Sequence, residues 1–253
     1  MFRNLSRQIA VLLFAAFGLL TPRCVHATAI ANSAISFSNL QIAPSTGTIL
    51  FLDDWSAEAF AQAQNSLGEL NNQFDSSIGG AAAANATVTF ATSADNASAT
   101  NLTGSASSSV NIPATITAQA SSVGRGTLFN LFVITGGSGD VDVNFSVDLT
   151  GSLDLLTDAF GQLAQTETIF DLELDGNPIL FRDDILSIGP NAFASMPFSQ
   201  KLSDTRTLQF DTFYFILAQA DSESQAINIP EPSTVTLMLA GLITLTRYIR
   251  RKT

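Results

Sequence analysis

"DVDVNFSVDLTG", residues Asp140–Gly151, alternates without a break. Val141, Val143, Phe145, Val147 and Leu149 fall on one side of an extended chain, and Asp140, Asp142, Asn144, Ser146 and Asp148 on the other. A period of two is the period of a strand, with the apolar side dry and the polar side wet. One wet face is the mark of an antiparallel sheet rather than a parallel one covered by helices.

The neighbouring segments repeat the pattern. "LFNLFVITG" (128–136) reads as a buried strand, and "TETIFDLELDG" (166–176) as a strand ending in the turn Asp175-Gly176-Asn177-Pro178. "PILFRDDILSIG" (178–189) and "RTLQFDTFYFILAQADS" (206–222) follow in the same style. Successive strands separated by polar turns predict an all-β body, an antiparallel β-sandwich or a jelly-roll-like fold. Upstream, "SAISFSNLQIAPSTGTILFL" (33–52) turns at Pro44-Ser45-Thr46-Gly47 and predicts a hairpin.

Two stretches read differently. In residues 54–77, Trp55, Ala59, Ala63, Leu67, Leu70 and Phe74 lie at helical spacing behind a capping Asp53 or Asp54, which predicts one helix. The same stretch alternates at Ala57, Ala59, Ala61 and Ala63, as a strand with a small-residue face would. Residues 79–123 are biased in composition. From Ala81 to Val110, 21 of 30 residues are Ala, Ser or Thr, so the stretch has little apolar area to offset its ordering entropy. It reads as edge strands or as loosely ordered loops over a sheet.

Charge bounds the partners. Between Ile30 and Ile229 stand four basic residues, Arg125, Arg182, Lys201 and Arg206, against 21 Asp and Glu, a net charge of −17. Nucleic acid is gripped through Lys and Arg, so this body has no means of holding it.

The chain begins with Arg3 and Arg7, an apolar run Ile9–Leu20, and small residues after it, which predicts a signal helix and a signal peptide over residues 1–29. Cleavage after Ala27 or after Ala29 satisfies the small-residue rule. Either cut removes Cys24 and His26, the only cysteine and histidine. The exported chain then lacks Cys nucleophiles, His bases, Ser-His-Asp triads and His or Cys metal sites. Residues 30–228 form the expected exported domain.

The end of the chain is "IPEPSTVTLMLAGLITLTRYIRRKT", residues 229–253. An uncharged segment follows Pro230-Glu231-Pro232 and is closed by Arg247, Arg250, Arg251 and Lys252. This predicts a short transmembrane helix over about residues 233–249, its basic end in the cytoplasm and the acidic body outside. The triplet, the apolar segment and the terminal basic cluster, opposite a signal peptide, resemble the sorting signal of the PEP-CTERM family of bacterial exported proteins. The resemblance covers only these last 25 residues. It implies an exosortase-like membrane protease-transpeptidase that cuts near the triplet, and a Gram-negative host that makes extracellular polysaccharide.

Carboxylates are the reactive groups that remain. Asp171, Glu173 and Asp175 have the spacing of the first half of a calcium loop, but position 12 is Arg182 where such a loop closes with Glu. Alternating with Leu172 and Leu174, the same three fit a wetted stripe on one strand face. Asp140 with Asp142, and Asp183 with Asp184, are similar candidates. Three functions stay open: a non-enzymatic exported surface or matrix protein that needs no cofactor, a carbohydrate- or calcium-binding module, and a carboxylate-dependent glycoside hydrolase. The first is the expectation.

Overall fold

The computed structural model describes residues 28–113, 115–158 and 161–229. Ala27, the triplet Pro230–Pro232, the segment 233–249 and the cluster Arg247, Arg250, Arg251 and Lys252 lie outside the described residues.

Among the described residues the chain forms only strands: β1 (Thr28–Pro44), β2 (Thr48–Phe51), β3 (Ser56–Asn65), β4 (Leu70–Ile78), β5 (Ala81–Val88), β6 (Ala91–Ser98), β7 (Thr103–Pro113), β8 (Ala118–Thr135), β9 (Asp140–Thr157), β10 (Gln162–Leu174), β11 (Asn177–Ile188), β12 (Ala192–Gln209) and β13 (Phe213–Asn228). Two antiparallel sheets stack face to face. The first runs β12-β9-β1-β7-β6-β5, and the second β11-β10-β13-β8-β3-β4, with β2 added beside β8. The alternation of residues 141–149 is realised in β9, whose Val141, Val143, Phe145, Val147 and Leu149 are all buried. The turn between β10 and β11 is the two-residue Asp175-Gly176, both with positive φ (51° and 75°), the twist that suits a tight hairpin.

The structure corrects two expectations. No helix covers residues 54–77; β3 and β4 form a hairpin there, with Asn65 Oδ1 accepting the N–H of Leu67 and of Glu69 in the turn. Tertiary packing overrode the helical spacing. Ala57, Ala59, Ala61 and Ala63 are completely buried against the other sheet, while Leu67, Leu70 and Phe74 of the helical pattern are exposed. The Pro44–Gly47 turn does not make a hairpin either. β1 has both edges taken, by β7 and β9, so β2 crosses to the second sheet and pairs with β8.

The Ala/Ser/Thr-rich stretch supplies β5, β6, β7 and the start of β8. It has few large side chains to bury, and it is ordered by letting the sheets approach closely. A Cβ added at Gly126 of β8 would lie 2.6 Å from the carbonyl oxygen of Asn96 and 2.8 Å from that of Ser105, in the facing sheet. The opposite end of the sandwich is thick. It is filled by Phe37, Phe145, Phe170, Leu149, Leu153 and Leu155, with the Phe37 and Phe170 rings 5.5 Å apart across the sheets.

Four serine hydroxyls sit between these two zones. Ser33 Oγ lies 2.7 Å from Ser108 Oγ, 2.9 Å from Ser222 Oγ and 3.1 Å from Ser224 Oγ. The carbonyls of Ser33, Ser108 and Glu223 accept from the cluster. Every hydroxyl is buried and partnered, so the group joins β1 and β7 of one sheet to β13 of the other. Ser33→Ala strands its neighbours' bonds and is expected to cost about 1–3 kcal/mol, read from denaturant unfolding. A neutral result would mean that the hydroxyls re-pair without it.

The connections sort into two poles. Thr28 pairs with Pro113, Gln162 pairs with Asn228, and Asn228 Nδ2 donates to the carbonyls of Pro113 (3.0 Å) and Ile116 (2.8 Å). The first and last described strands therefore begin and end at the same pole. The turns 45–47, 175–176 and 210–212 lie at the other.

Candidate functional site

Of the carboxylates singled out in the sequence, Asp171, Glu173 and Asp183 lie on the outer face of the second sheet. β10 presents Glu167, Ile169, Asp171 and Glu173 outward, because Thr166, Thr168, Phe170, Leu172 and Leu174 are taken up by the core. On the neighbouring β13, Glu223 is the register partner of Glu167, Gln219 that of Asp171 and Asp221 that of Ile169. Asp183 of β11 stands opposite Ile169 on the other side. One cation serves this patch among the described residues: Arg125 Nε donates to Asp221 Oδ1 at 2.6 Å, and Gln219 Nε2 donates to Asp221 Oδ2 at 2.6 Å.

The crowding has an electrostatic effect. Partial burial, and then the nearby Glu173 and Asp221 carboxylates, push Asp171 up to about 6. Glu167 is also raised, first by burial and then by Asp183, Glu223 and Asp221. Asp171 Oδ1 is a buried oxygen without a hydrogen-bond partner.

Asp175 does not join them. It occupies the β10–β11 turn, and its Oδ1 accepts the N–H of Phe215 at 2.8 Å. Asp183 and Asp184 are separated by the pleat: Asp183 is on the wet face, while Asp184 turns inward and pairs with Arg182. The Arg182 guanidinium also donates to Gln200 and stacks 4.2 Å from the Phe198 ring centre. An inward ion pair on the edge strand β11 discourages other strands from adding there. Asp140 and Asp142 both lie on the outer face of the first sheet, where Asp142 Oδ1 accepts from Thr207. Among the described residues no three of His, Cys, Asp and Glu converge as metal ligands would.

The aromatic residues weighed as a sugar platform are in the core. Trp55 and Tyr214 are 8% and 9% exposed, and Tyr214 Oη accepts the N–H of Gln209. Neither ring offers a face to a sugar. A cleft of about 370 Å³ does open beside Trp55, between Leu40, Ile42, Phe51 and Leu102, and its walls carry no carboxylate. The Asp171–Glu173 pair lies on an open sheet face, without the groove in which a glycosidase holds its substrate.

The sequence reading missed one group. Asp95 of β6 is fully buried between the sheets, where it accepts from Ser93 Oγ (2.8 Å) and from the N–H of Ser107 (3.1 Å). Desolvation pushes it up to about 7 against those two bonds, and Asp221 adds to the rise. The period-two register of "ATSADNAS" could have exposed it, since it places Asp95 on the same side as Ala91, Ser93 and Ala97.

No protein-family model, no curated protein and no solved structure matches this chain.

Proposed function

We propose that this chain is a non-enzymatic exported surface or extracellular-matrix protein, sorted through its C-terminal PEP-type signal. One observation carries the reading. The packed body closes at Asn228 of β13, and the Pro-Glu-Pro triplet, the uncharged segment and the basic cluster follow at once. The sandwich is thus finished before the triplet begins, so processing of the tail would not require removing any strand of the body. At the other end, β1 supports cleavage after Ala27. A cut after Ala29 would remove a residue that is completely buried and pairs with Ile112 on one side and Thr157 on the other.

Intact-mass measurement of the exported protein tests this. Loss of residues 1–27 and of the segment beyond the triplet is expected. A mature protein that retains residues 233–253 removes processing from the reading and leaves a plain anchor.

A second reading, a calcium-binding surface module, draws on the repulsion between Asp171 and its neighbours Glu173 and Asp221, which a divalent cation would relieve. Under it, millimolar calcium raises the melting temperature, because a ligand bound only by the native state stabilises that state. An unchanged melting temperature eliminates it.

A further inference from the structure

The first sheet has a notch. β7 pairs with β1 only as far as Gly104, opposite Phe37. β1 continues over residues 38–44, and there, among the described residues, it pairs with β9 alone. The N–H of Ser45 donates to the carbonyl of Asp142 at 2.7 Å, which sets the parity of the stretch. Gln41 and Ala43 share that parity and turn their main-chain groups to Ser146 and Asn144 of β9. Ile42 therefore turns its N–H and C=O, and Pro44 its C=O, to the side that β7 has left.

This open edge borders the cleft beside Trp55. Leu40 and Ile42 line it from β1, Phe51 and Trp55 from the facing sheet, and Leu102 from the turn that leads into β7. The Phe51 and Trp55 rings stand 5.3 Å apart. An extended chain laid in line with β7 would meet main-chain donors and acceptors along one side and an apolar cavity for its alternate side chains beneath.

Other strand edges of the body are guarded. β12 carries Pro197, Lys201 and Arg206, and β11 carries the inward Arg182–Asp184 pair. On β5 the N–H of Ala83 is taken by Asp75 (2.9 Å) and that of Thr89 by Glu69 (2.8 Å). Residues 38–44 hold no charge, and among the described residues nothing bonds the open side of Ile42. Asp53 and Asp54 stand exposed between Phe51 and Trp55 in the chain, and the four basic residues of the body lie on β8, β11 and β12. Charge thus favours a basic occupant and opposes a second copy of this body, whose net charge is −17.

We infer that the open edge of β1 takes up an extended segment of a partner protein as an added strand, one with apolar side chains at alternate positions and basic residues beside them. The inference does not depend on the tail.

Trp55 is the only tryptophan, so its emission reports on the cleft. The test titrates the full chain with the capped peptide Lys-Val-Thr-Val-Thr-Val-Lys. A saturable change in Trp55 emission is expected, with amide exchange at Ile42 slowed about tenfold or more while Ala43, already bonded to β9, is unaffected. The same peptide N-methylated at its valines keeps the apolar side chains and loses the donors, and should bind about tenfold more weakly or worse. Replacing its lysines with glutamates should weaken it similarly. Equal binding of the N-methylated peptide overturns strand addition, and equal binding of the glutamate peptide overturns the basic partner. No change at Trp55 or Ile42 overturns the site. Protection of Ile42 that grows with protein concentration and without peptide assigns the edge to a second copy and overturns the partner.

Discussion

Asp95→Asn is expected to stabilise the body above pH 7 and to remove most of the pH dependence of its unfolding. The carboxyl of Asp95 is held at about 7, far above its ordinary value of 3.8, because the thin part of the sandwich desolvates it. Arg125 does not help, since it points to the opposite face of β8 from Gly124 and Gly126. A raised carboxyl pKa favours the folded state while the group is protonated. Its contribution is fully present below about pH 4 and is lost as the pH climbs through 7. A shift of this size corresponds to something on the order of 4 kcal/mol between those limits.

Asn carries no charge at any pH in this range, and the site can receive it. Ser93 Oγ also lies 2.9 Å from the carbonyl of Val123 and 3.2 Å from that of Ser107, so its hydroxyl can turn to either and accept from the new amide. At pH 8 the variant should melt higher by as much as about 10 °C, and at pH 4 it should match the parent. A shallower slope below pH 6 should survive in it, contributed by Asp171. Parallel stability–pH curves for parent and variant would mean that Asp95 reaches water and that the desolvation argument is wrong.

The second large effect is steric. Gly126→Ala places a methyl group 2.6 Å from one main-chain oxygen and 2.8 Å from another, both in the facing sheet. A flexible side chain could step aside; the hydrogen-bonded strands β6 and β7 cannot do so alone. The sheets must separate where their packing consists of alanine and serine, and the interface there has little contact area to lose before water enters. A cost of about 3 kcal/mol or more is expected, at the upper end of overpacking effects. Gly189→Ala is the control, because nothing lies within 4 Å of its added methyl, and it should stay within about 0.5 kcal/mol of the parent. Equal effects at the two glycines would show that the sheets are not in backbone contact.

Much of the fold was legible in the chain. The alternation of 141–149 and of 166–174, with the Asp175-Gly176 turn, established antiparallel strands with one dry face, because a residue's side in a strand depends only on its parity. Polarity also located the acidic surface, since Glu167, Asp171 and Glu173 alternate with Thr168, Phe170 and Leu172. The helical spacing of 54–77 misled because alanine suits either period. Only the facing sheet, which needed small side chains at every second position, decided for a strand.

Sequence by itself determined the charge of the body, the absence of His and Cys after residue 27, and the tail with its triplet and basic end. These are one-dimensional facts. The tertiary structure decided which residues meet: β2 crossing to the other sheet, four serines converging from three strands, and Asp95 sealed against Gly124. Those outcomes depend on pairings between residues up to 191 positions apart, such as Ser33 and Ser224. No local pattern encodes such pairings, because strand register is settled only when both sheets bury their dry faces together.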